Sequence, residues 1–161
     1  MMMLKKNQNS YKIDREKLKI SKHIKLGIDG SVIYYLNTYK DDRGTLSVCE
    51  VPDIIPFEVK RCFFVYKVPP FQDRANHAHK DCKEFLICVQ GSCNIRIDDS
   101  KSSSNIILNN PDTGLYLPEM TWISIYEFSY DAILLVFASS LYDETDYIRD
   151  YEDFLFQKLN V

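Results

Sequence analysis

The chain has 161 residues, of which 45% are hydrophobic, and this is enough to build one core without leaving a second one unexplained. The formal net charge is −3, and the longest apolar run, 132–138, is far shorter than the roughly 20 residues that a helix needs to cross a bilayer. The composition therefore predicts one folded domain that has neither a nucleic acid nor a membrane as its partner.

Basic residues are concentrated at the N-terminus. Residues 1–28 contain eight Lys or Arg and two acidic residues, without the aromatic interleaving or recognition-helix pattern of a nucleic-acid-binding segment. We therefore predict a solvated basic extension over residues 1–25 and one catalytic domain over residues 26–161.

The five cysteines predict a reducing environment. They form an odd set without a C-x-x-C pair, and the first residues lack the apolar core of a signal peptide. Reduced thiols are the ordinary state of cysteine in the cytoplasm, so we expect a cytoplasmic protein.

From Lys25 onward, short runs of β-branched and aromatic residues alternate with turn sequences. The turns recur about every ten positions, at 29–30, 41–44, 68–70, 90–92, 109–112 and 117–119. This spacing is typical of an all-β sandwich or barrel. In the run 93–98 the apolar residues Cys93, Ile95 and Ile97 alternate with polar ones, which predicts a strand with one face in water.

Two runs, 85–89 and 132–137, are apolar at every position, as expected of strands that are covered on both faces. One face would pack inside the barrel and the other against a partner, so we predict a homodimer. The segment 143–159 carries acids early and a lysine late, which suits the helix dipole, and we predict one or more short helices there.

Two of the three histidines, His77 and His79, are separated by a single residue. On a strand, residues i and i+2 point to the same face, so both imidazoles would enter the same space. Two groups that titrate near neutrality would place a proton acceptor beside a proton donor. We therefore predict an acid–base site at this pair.

The spacing around the pair matches the first motif of the cupin superfamily, in which His-x-His is followed by an acid, here Glu84, and then by Gly91. The second cupin motif would add another histidine, but the region 119–125 contains none. Two imidazoles and one carboxylate can still bind a transition metal, so the metal hypothesis is weakened and stays open. We favour catalysis without a metal or another cofactor.

Arginines near the pair suggest an anionic ligand such as a diphosphate, because a guanidinium forks onto phosphate oxygens. The candidates are Arg43, Arg61 and Arg74, although each could instead pair with one of the many acidic residues. Trp122 could stack on a nucleobase or lie in the core.

Together these residues resemble the sugar 3,4-ketoisomerases that act on dTDP-4-keto-6-deoxyglucose, a family with a cupin jelly-roll β-barrel. The resemblance runs from about residue 39 to the C-terminus, and its most specific strings are His-Ala-His-Lys at 77–80 and the segment 142–149. Further matching stretches are 42–46, 55–57, 60–61, 88–93, 98–99, 114–116 and 128–129.

The resemblance implies an isomerase that moves a keto group from C4 to C3 of a dTDP-linked deoxysugar through an enediol, on the route to the 3-amino-3,6-dideoxysugars of lipopolysaccharide O-antigens. It implies His79 as the base at carbon and His77 as its assistant at oxygen, an order that could be reversed. The implied substrate-binding residues are Arg74, Arg61, Arg43, Lys80, Glu84 and Trp122.

The chain departs from the family pattern in three places. Ala75 stands where glycine is expected, Glu84 where glutamine is expected, and Phe63 and Phe64 occupy a stretch in which a tyrosine is expected. Alanine would be strained if its position requires positive φ, and Glu84 would raise the pKa of the histidines. The alternatives are a non-catalytic cupin that binds a sugar nucleotide and a metal-dependent cupin enzyme that uses the histidine pair with Glu84.

Overall fold

The structure, a computed structural model, describes residues 23–160, so most of the predicted N-terminal extension lies outside the described residues. Within residues 23–160 the chain forms thirteen short strands and one α-helix, and the all-β prediction is confirmed. None of the helical segments in this range is long and apolar enough to cross a membrane.

The strands are β1 (His23–Lys25), β2 (Val32–Tyr35), β3 (Asn37–Asp41), β4 (Gly44–Val48), β5 (Arg61–Tyr66), β6 (Arg74–His79), β7 (Glu84–Gln90), β8 (Cys93–Asp98), β9 (Ser103–Leu108), β10 (Thr113–Leu117), β11 (Trp122–Tyr126), β12 (Ile133–Ala138) and β13 (Tyr147–Ile148). The helix is α1 (Tyr151–Leu159), and a 3₁₀ turn covers Glu144–Asp146.

The strands form two antiparallel sheets and a hairpin. The larger sheet has the order β1-β2-β10-β7-β12-β5 and the smaller one the order β13-β6-β11-β8-β9, while β3 and β4 form a two-stranded sheet of their own. Inward side chains of both sheets share one apolar core, with Leu86 and Leu134 from the larger sheet and Ile95 and Ile123 from the smaller one. The fold is therefore a two-sheet barrel of the jelly-roll type.

The central strands follow the burial that their sequences predict, with one difference. In β8 the inward residues Cys93, Ile95 and Ile97 are at most 1% exposed. β7 is buried on both faces over its first five residues, but its outer face is covered by the segment 54–57 of the same chain. The outward residues of β12 are half-buried. The double burial of β7 therefore needs no partner subunit, and the predicted homodimer remains a prediction.

A bulge in β6 precedes the two histidines. Ala75 and Asn76 both have positive φ, of 65° and 54°. Ile123 of β11 lies opposite His77, and the next residue of β11 lies opposite Ala75, so one residue of β6 is extra. The position of Ala75 does require positive φ, which costs a non-glycine residue about 1–2 kcal/mol.

The C-terminal segment folds back along β6. β13 pairs with the end of β6, so that Tyr147 lies opposite His79. α1 begins after Asp150, whose side chain accepts a backbone N–H of the first turn, and Phe154 of α1 is fully buried against Trp122. The predicted C-terminal helix is confirmed as α1. The strand β13 was not predicted, because two residues carry no recognisable period.

Candidate active site

The two histidines of β6 point to the same side of the strand and touch. Their ring centroids are 4.9 Å apart, and their planes are nearly perpendicular, at 84°. His79 is 4% exposed, whereas His77 is only partly buried. The strand geometry therefore places two imidazoles in direct contact, with His77 nearer to solvent.

Two carboxylates flank His79. Its Nδ1 lies 2.6 Å from Oδ2 of Asp146, and its Nε2 lies 3.5 Å from Oε1 of Glu84. The other oxygen of Asp146 accepts the N–H of Asp81 at 2.8 Å, which fixes this carboxylate. Burial lowers the pKa of His79, but the hydrogen bonds and charges of Glu84 and Asp146 outweigh it, so the pKa is raised above its ordinary value. His79 is thus the imidazole of the pair that binds a proton more readily.

His77 has the opposite environment. Its ring nitrogens are buried and, like Nε2 of His79, make no hydrogen bond of ordinary geometry within residues 23–160, and no carboxylate lies beside them at ion-pair distance in that range. Burial lowers the pKa of His77 below its ordinary value, although the charge of Glu84 acts in the other direction. Burial therefore favours the neutral form of His77, in which one ring nitrogen can accept a proton. Environments that push two neighbouring pKa values apart mark the acid and the base of an active site.

Tyr147 is the third ring in contact with the histidine pair, and the sequence alone predicted no role for it. Its ring centroid is 4.4 Å from that of His79 and 4.9 Å from that of His77. The guanidinium of Arg149 covers the Tyr147 ring at 4.5 Å from its centroid. The sequence signal for both residues was their place in the string 142–149, which matched the family without pointing to individual side chains.

Arg61 connects the edges of the two sheets. It begins the edge strand β5, and its guanidinium lies 5.3 Å from the ring centroid of Phe63 and 5.7 Å from that of Tyr142. Its charge also acts on the phenol of Tyr147, at the edge of the smaller sheet. Arg61 is therefore a predicted anion-binding residue that the structure brings to the histidine cluster.

The structure gives weaker support for an anion-binding role of the other three predicted cations. Arg74 is exposed at the start of β6. Lys80 is exposed, and its Nζ donates a hydrogen bond to the carbonyl oxygen of Thr145 at 2.7 Å. Arg43 lies in the turn between β3 and β4, where its side chain is 90% exposed and pairs with Asp41 at 2.5 Å. The substrate-binding roles of these three residues stay predictions.

Trp122 lies in a core cluster on the far side of its strand. Neighbours along a strand point to opposite faces, so Trp122 and Ile123 are on opposite faces, and Ile123 is the residue that pairs with His77. The Trp122 ring packs 5.1 Å from Tyr151 and 5.6 Å from Phe154, measured between ring centroids. Trp122 therefore occupies a core position. This was one of the two possibilities that the sequence left open, and the other was stacking on a nucleobase.

His77, His79 and Glu84 would also suit a metal ion. Their ligand atoms lie within 4.8 Å of one another, and two imidazoles with one carboxylate are an ordinary set for a transition metal. The hydrogen bond between Nδ1 of His79 and Asp146 is of the kind that orients a metal-bound histidine. Ile123, opposite His77, offers no fourth ligand. The set therefore fits an ion with three protein ligands.

A two-sheet antiparallel barrel that brings two imidazoles and a phenol into contact is a cupin-type barrel with a candidate acid–base site. The family model FdtA (WxcM-like, C-terminal) matches residues 29–158. A curated TDP-4-oxo-6-deoxy-α-D-glucose-3,4-oxoisomerase from Aneurinibacillus thermoaerophilus is 40% identical over 114 residues, which are 71% of this chain and 82% of that protein. The chain therefore belongs to the FdtA family, and the predicted membership of the sugar 3,4-ketoisomerases is confirmed.

Solved structures agree with this assignment. A 3,4-ketoisomerase from Helicobacter canadensis is 40% identical, with a TM-score of 0.79 over 82% of this chain and 98% of that one. QdtA, a 3,4-ketoisomerase from Thermoanaerobacterium thermosaccharolyticum, was solved with one histidine replaced by asparagine and in complex with TDP-4-keto-6-deoxyglucose. It is 33% identical, with a TM-score of 0.80 over 83% of this chain and 96% of its own. The predicted fold class and the predicted isomerase activity are thereby confirmed.

Proposed function

We propose that the chain converts dTDP-4-keto-6-deoxy-D-glucose into a dTDP-3-keto-6-deoxyhexose. The observation that carries the proposal is the contrast within the pair: burial lowers the pKa of His77, whereas the two carboxylates beside His79 raise the pKa of His79. Moving a ketone by one carbon requires that a proton leave C3 and that one return at C4, which a base can do without a redox cofactor. The relatives, one of them with TDP-4-keto-6-deoxyglucose bound, support this substrate class.

The environments of the two histidines favour His77 as the base at carbon, the reverse of the order preferred from the sequence. A general base must be neutral, and burial favours the neutral form of His77 by lowering its pKa. One nitrogen of a neutral imidazole carries the lone pair that accepts a proton. His79 directs Nδ1 at Asp146 and Nε2 at Glu84, so both of its nitrogens face carboxylates. His77 therefore takes the proton from C3 and returns a proton at C4.

His79 has a complementary task. It meets the His77 ring edge-on at 4.9 Å and so fixes the orientation of that ring. Its positive charge contributes to the lowered pKa of His77, which keeps the base neutral before the substrate arrives. A fixed cation at this point also stabilises negative charge that develops on the oxygens of the enediol.

The arginines are proposed to hold the diphosphate. Arg61 stands beside the cluster, and Arg74 exposes its guanidinium on the strand that carries the histidines. In isothermal titration with dTDP, Arg74→Ala should weaken binding by about tenfold, the loss expected for one charged hydrogen-bonding partner. An unchanged affinity for dTDP would remove Arg74 from the phosphate site.

The identity of the product tests the proposal. Purified enzyme incubated with dTDP-4-keto-6-deoxyglucose should give a 3-keto isomer, which NMR recognises by the position of the carbonyl carbon. Unchanged substrate, with binding of the nucleotide retained, would instead support the non-catalytic sugar-nucleotide-binding cupin.

The metal-dependent alternative is favoured by the donor set of the histidine pair and Glu84. An ion held there would act as a Lewis acid on a substrate oxygen. Elemental analysis and assays after chelation separate the two mechanisms. The acid–base mechanism expects full activity after chelation. One transition-metal ion per chain, together with loss of activity on its removal, would establish the alternative.

We place this reaction in the cytoplasm, on the route to 3-amino-3,6-dideoxysugars of lipopolysaccharide O-antigens. The five cysteines of the chain are all free thiols, which supports a reducing compartment. Recovery of the protein from the periplasmic or membrane fraction of cells would contradict this location.

A further inference from the structure

Tyr147 touches both imidazoles of the site. It lies opposite His79 in the pairing of β13 with β6, and its ring centroid is 4.4 Å from that of His79 and 4.9 Å from that of His77. Unlike His79 it is only partly buried, so its side chain can be reached from outside the core. A phenol therefore stands beside the proposed carbon base, where a bound sugar would meet both.

The proposed isomerisation needs proton transfer at oxygen as well as at carbon. O4 gains a proton when the ketone becomes an enediol, and O3 loses one when the new ketone forms. His77 is engaged with the carbon proton, and Nδ1 of His79 is bound to Asp146 at 2.6 Å. Tyr147, which contacts both imidazole rings, is the neighbouring group whose proton can exchange with the two oxygens.

We propose that Tyr147 is the catalytic acid and base at the substrate oxygens, an inference that rests on the proposed function. In the first half, His77 takes the proton from C3 while the phenol of Tyr147 donates its proton to O4. This gives an enediol, a protonated His77 and a phenolate. In the second half, the phenolate takes the proton from O3 while His77 returns its proton to C4. The electron pair that leaves the C3–H bond ends in the new C4–H bond, so C3 is oxidised, C4 is reduced, and both side chains are regenerated.

The groups around the Tyr147 hydroxyl favour reversible proton transfer. Burial raises the pKa of Tyr147, whereas the charge of Arg61 and its hydrogen bond to the phenol act to lower it. Arg149 adds a second guanidinium, 4.5 Å from the centre of the ring. The resting phenol is therefore neutral and able to donate, and the two cations stabilise the phenolate that forms when it does.

Two variants with the same chemical change provide the test. Tyr147→Phe removes the hydroxyl and keeps the ring that packs on the histidines. Tyr126→Phe is the matched control, because Tyr126 lies at the end of β11 and bonds Asn105 at 3.3 Å. With dTDP-4-keto-6-deoxyglucose we expect Tyr147→Phe to lower kcat by about 100-fold or more with KM within about threefold, and the control to behave as wild type.

Exchange with solvent provides a second readout. Because the proton leaves C3 as O4 gains one, deuterium entry at C3 of recovered substrate should slow in Tyr147→Phe together with turnover. The inference is overturned by a Tyr147→Phe kcat within about threefold of wild type, by a loss confined to KM, or by an equal loss in Tyr126→Phe. Failure of the proposed function is seen separately, because the wild-type enzyme would then give no 3-keto product.

Discussion

His79 is the residue on which the charges of the site converge. The side chains of Glu84 and Asp146 are 8% and 13% exposed, and a buried carboxylate is costly unless a charged partner compensates it. His79 lies beside both carboxylates and compensates them when it is protonated. The charge of Glu84 also raises the pKa of His77, so this one carboxylate influences both members of the pair.

Replacing Glu84 with glutamine should move the pH profile of kcat/KM to lower pH. In the proposed mechanism activity requires a neutral His77 and a protonated His79, so it should fall at low pH as His77 gains a proton and at high pH as His79 loses one. Glu84 raises both pKa values, and without its charge both limbs of the profile shift downward.

Glu58→Gln is the control for this experiment. Glu58 is 78% exposed and pairs with Lys60, so the same substitution there should leave the profile unchanged. An alkaline limb that stays in place or moves upward in Glu84→Gln would contradict the role of Glu84.

The histidine pair and Glu84 could be found from the sequence, but Asp146 and Tyr147 could not be singled out as site residues. Residues i and i+2 of a strand share a face, so the pattern His-x-His carries its own geometry. Asp146 is 67 positions away from His79, and no local pattern encodes the return of the chain to β6. The choice between His77 and His79 as the base depended on burial and on neighbouring charges, which only the folded chain supplies.

Among the elements, α1 holds the C-terminal segment against β6. Phe154 is fully buried beside Trp122, and Lys158 binds Asp29 and donates a hydrogen bond to the carbonyl oxygen of Met120 at 2.8 Å. The same segment supplies the aspartate and the tyrosine of the site. The packing of the helix therefore supports the position of these groups.

Phe154→Ala should destabilise the protein strongly, while Phe156→Ala should not. Phe154 is 0% exposed, and truncating a buried phenylalanine typically costs about 3–5 kcal/mol. Phe156 lies on the same helix but is 68% exposed, so its loss should cost at most about 0.5 kcal/mol. Urea denaturation measures both, and equal losses of unfolding free energy would contradict the described packing of α1.

At the scale of elements, periodicity predicted which faces are buried but not what covers them. The alternation in β8 placed its inward residues correctly. The outer face of β7 was expected to meet a partner and is covered by the segment 54–57, a stretch without strand or helix periodicity. The two-residue strand β13 was likewise too short to leave a period in the sequence.

The molecule as a whole exposes apolar side chains that support the predicted homodimer. Phe64 and Tyr66 lie on the edge strand β5 at 58% and 57% exposure, and Tyr39 and Leu46 on the β3–β4 hairpin at 63% and 61%. Exposed apolar patches and unpaired strand edges are common sites of association. We therefore keep the homodimer as a prediction.

Light scattering coupled to size-exclusion chromatography tests this prediction. The wild-type protein should have twice the mass of one chain, and Phe64→Glu should shift it toward the monomer, because the charge would have to be buried in the interface. Phe156→Glu, at a similarly exposed position on α1, serves as the control. A monomeric wild-type protein would refute the dimer without affecting the chemistry proposed for the site.

The central claim is that His77 carries the carbon-bound proton, and NMR of the reaction in deuterated water tests it most directly. The wild-type enzyme should place deuterium at C4 of the product and at C3 of recovered substrate. His77→Asn should abolish exchange at both carbons while isothermal titration still detects dTDP binding, and His79→Asn should retain slow exchange. A His77→Asn enzyme that exchanges at the wild-type rate would contradict the account.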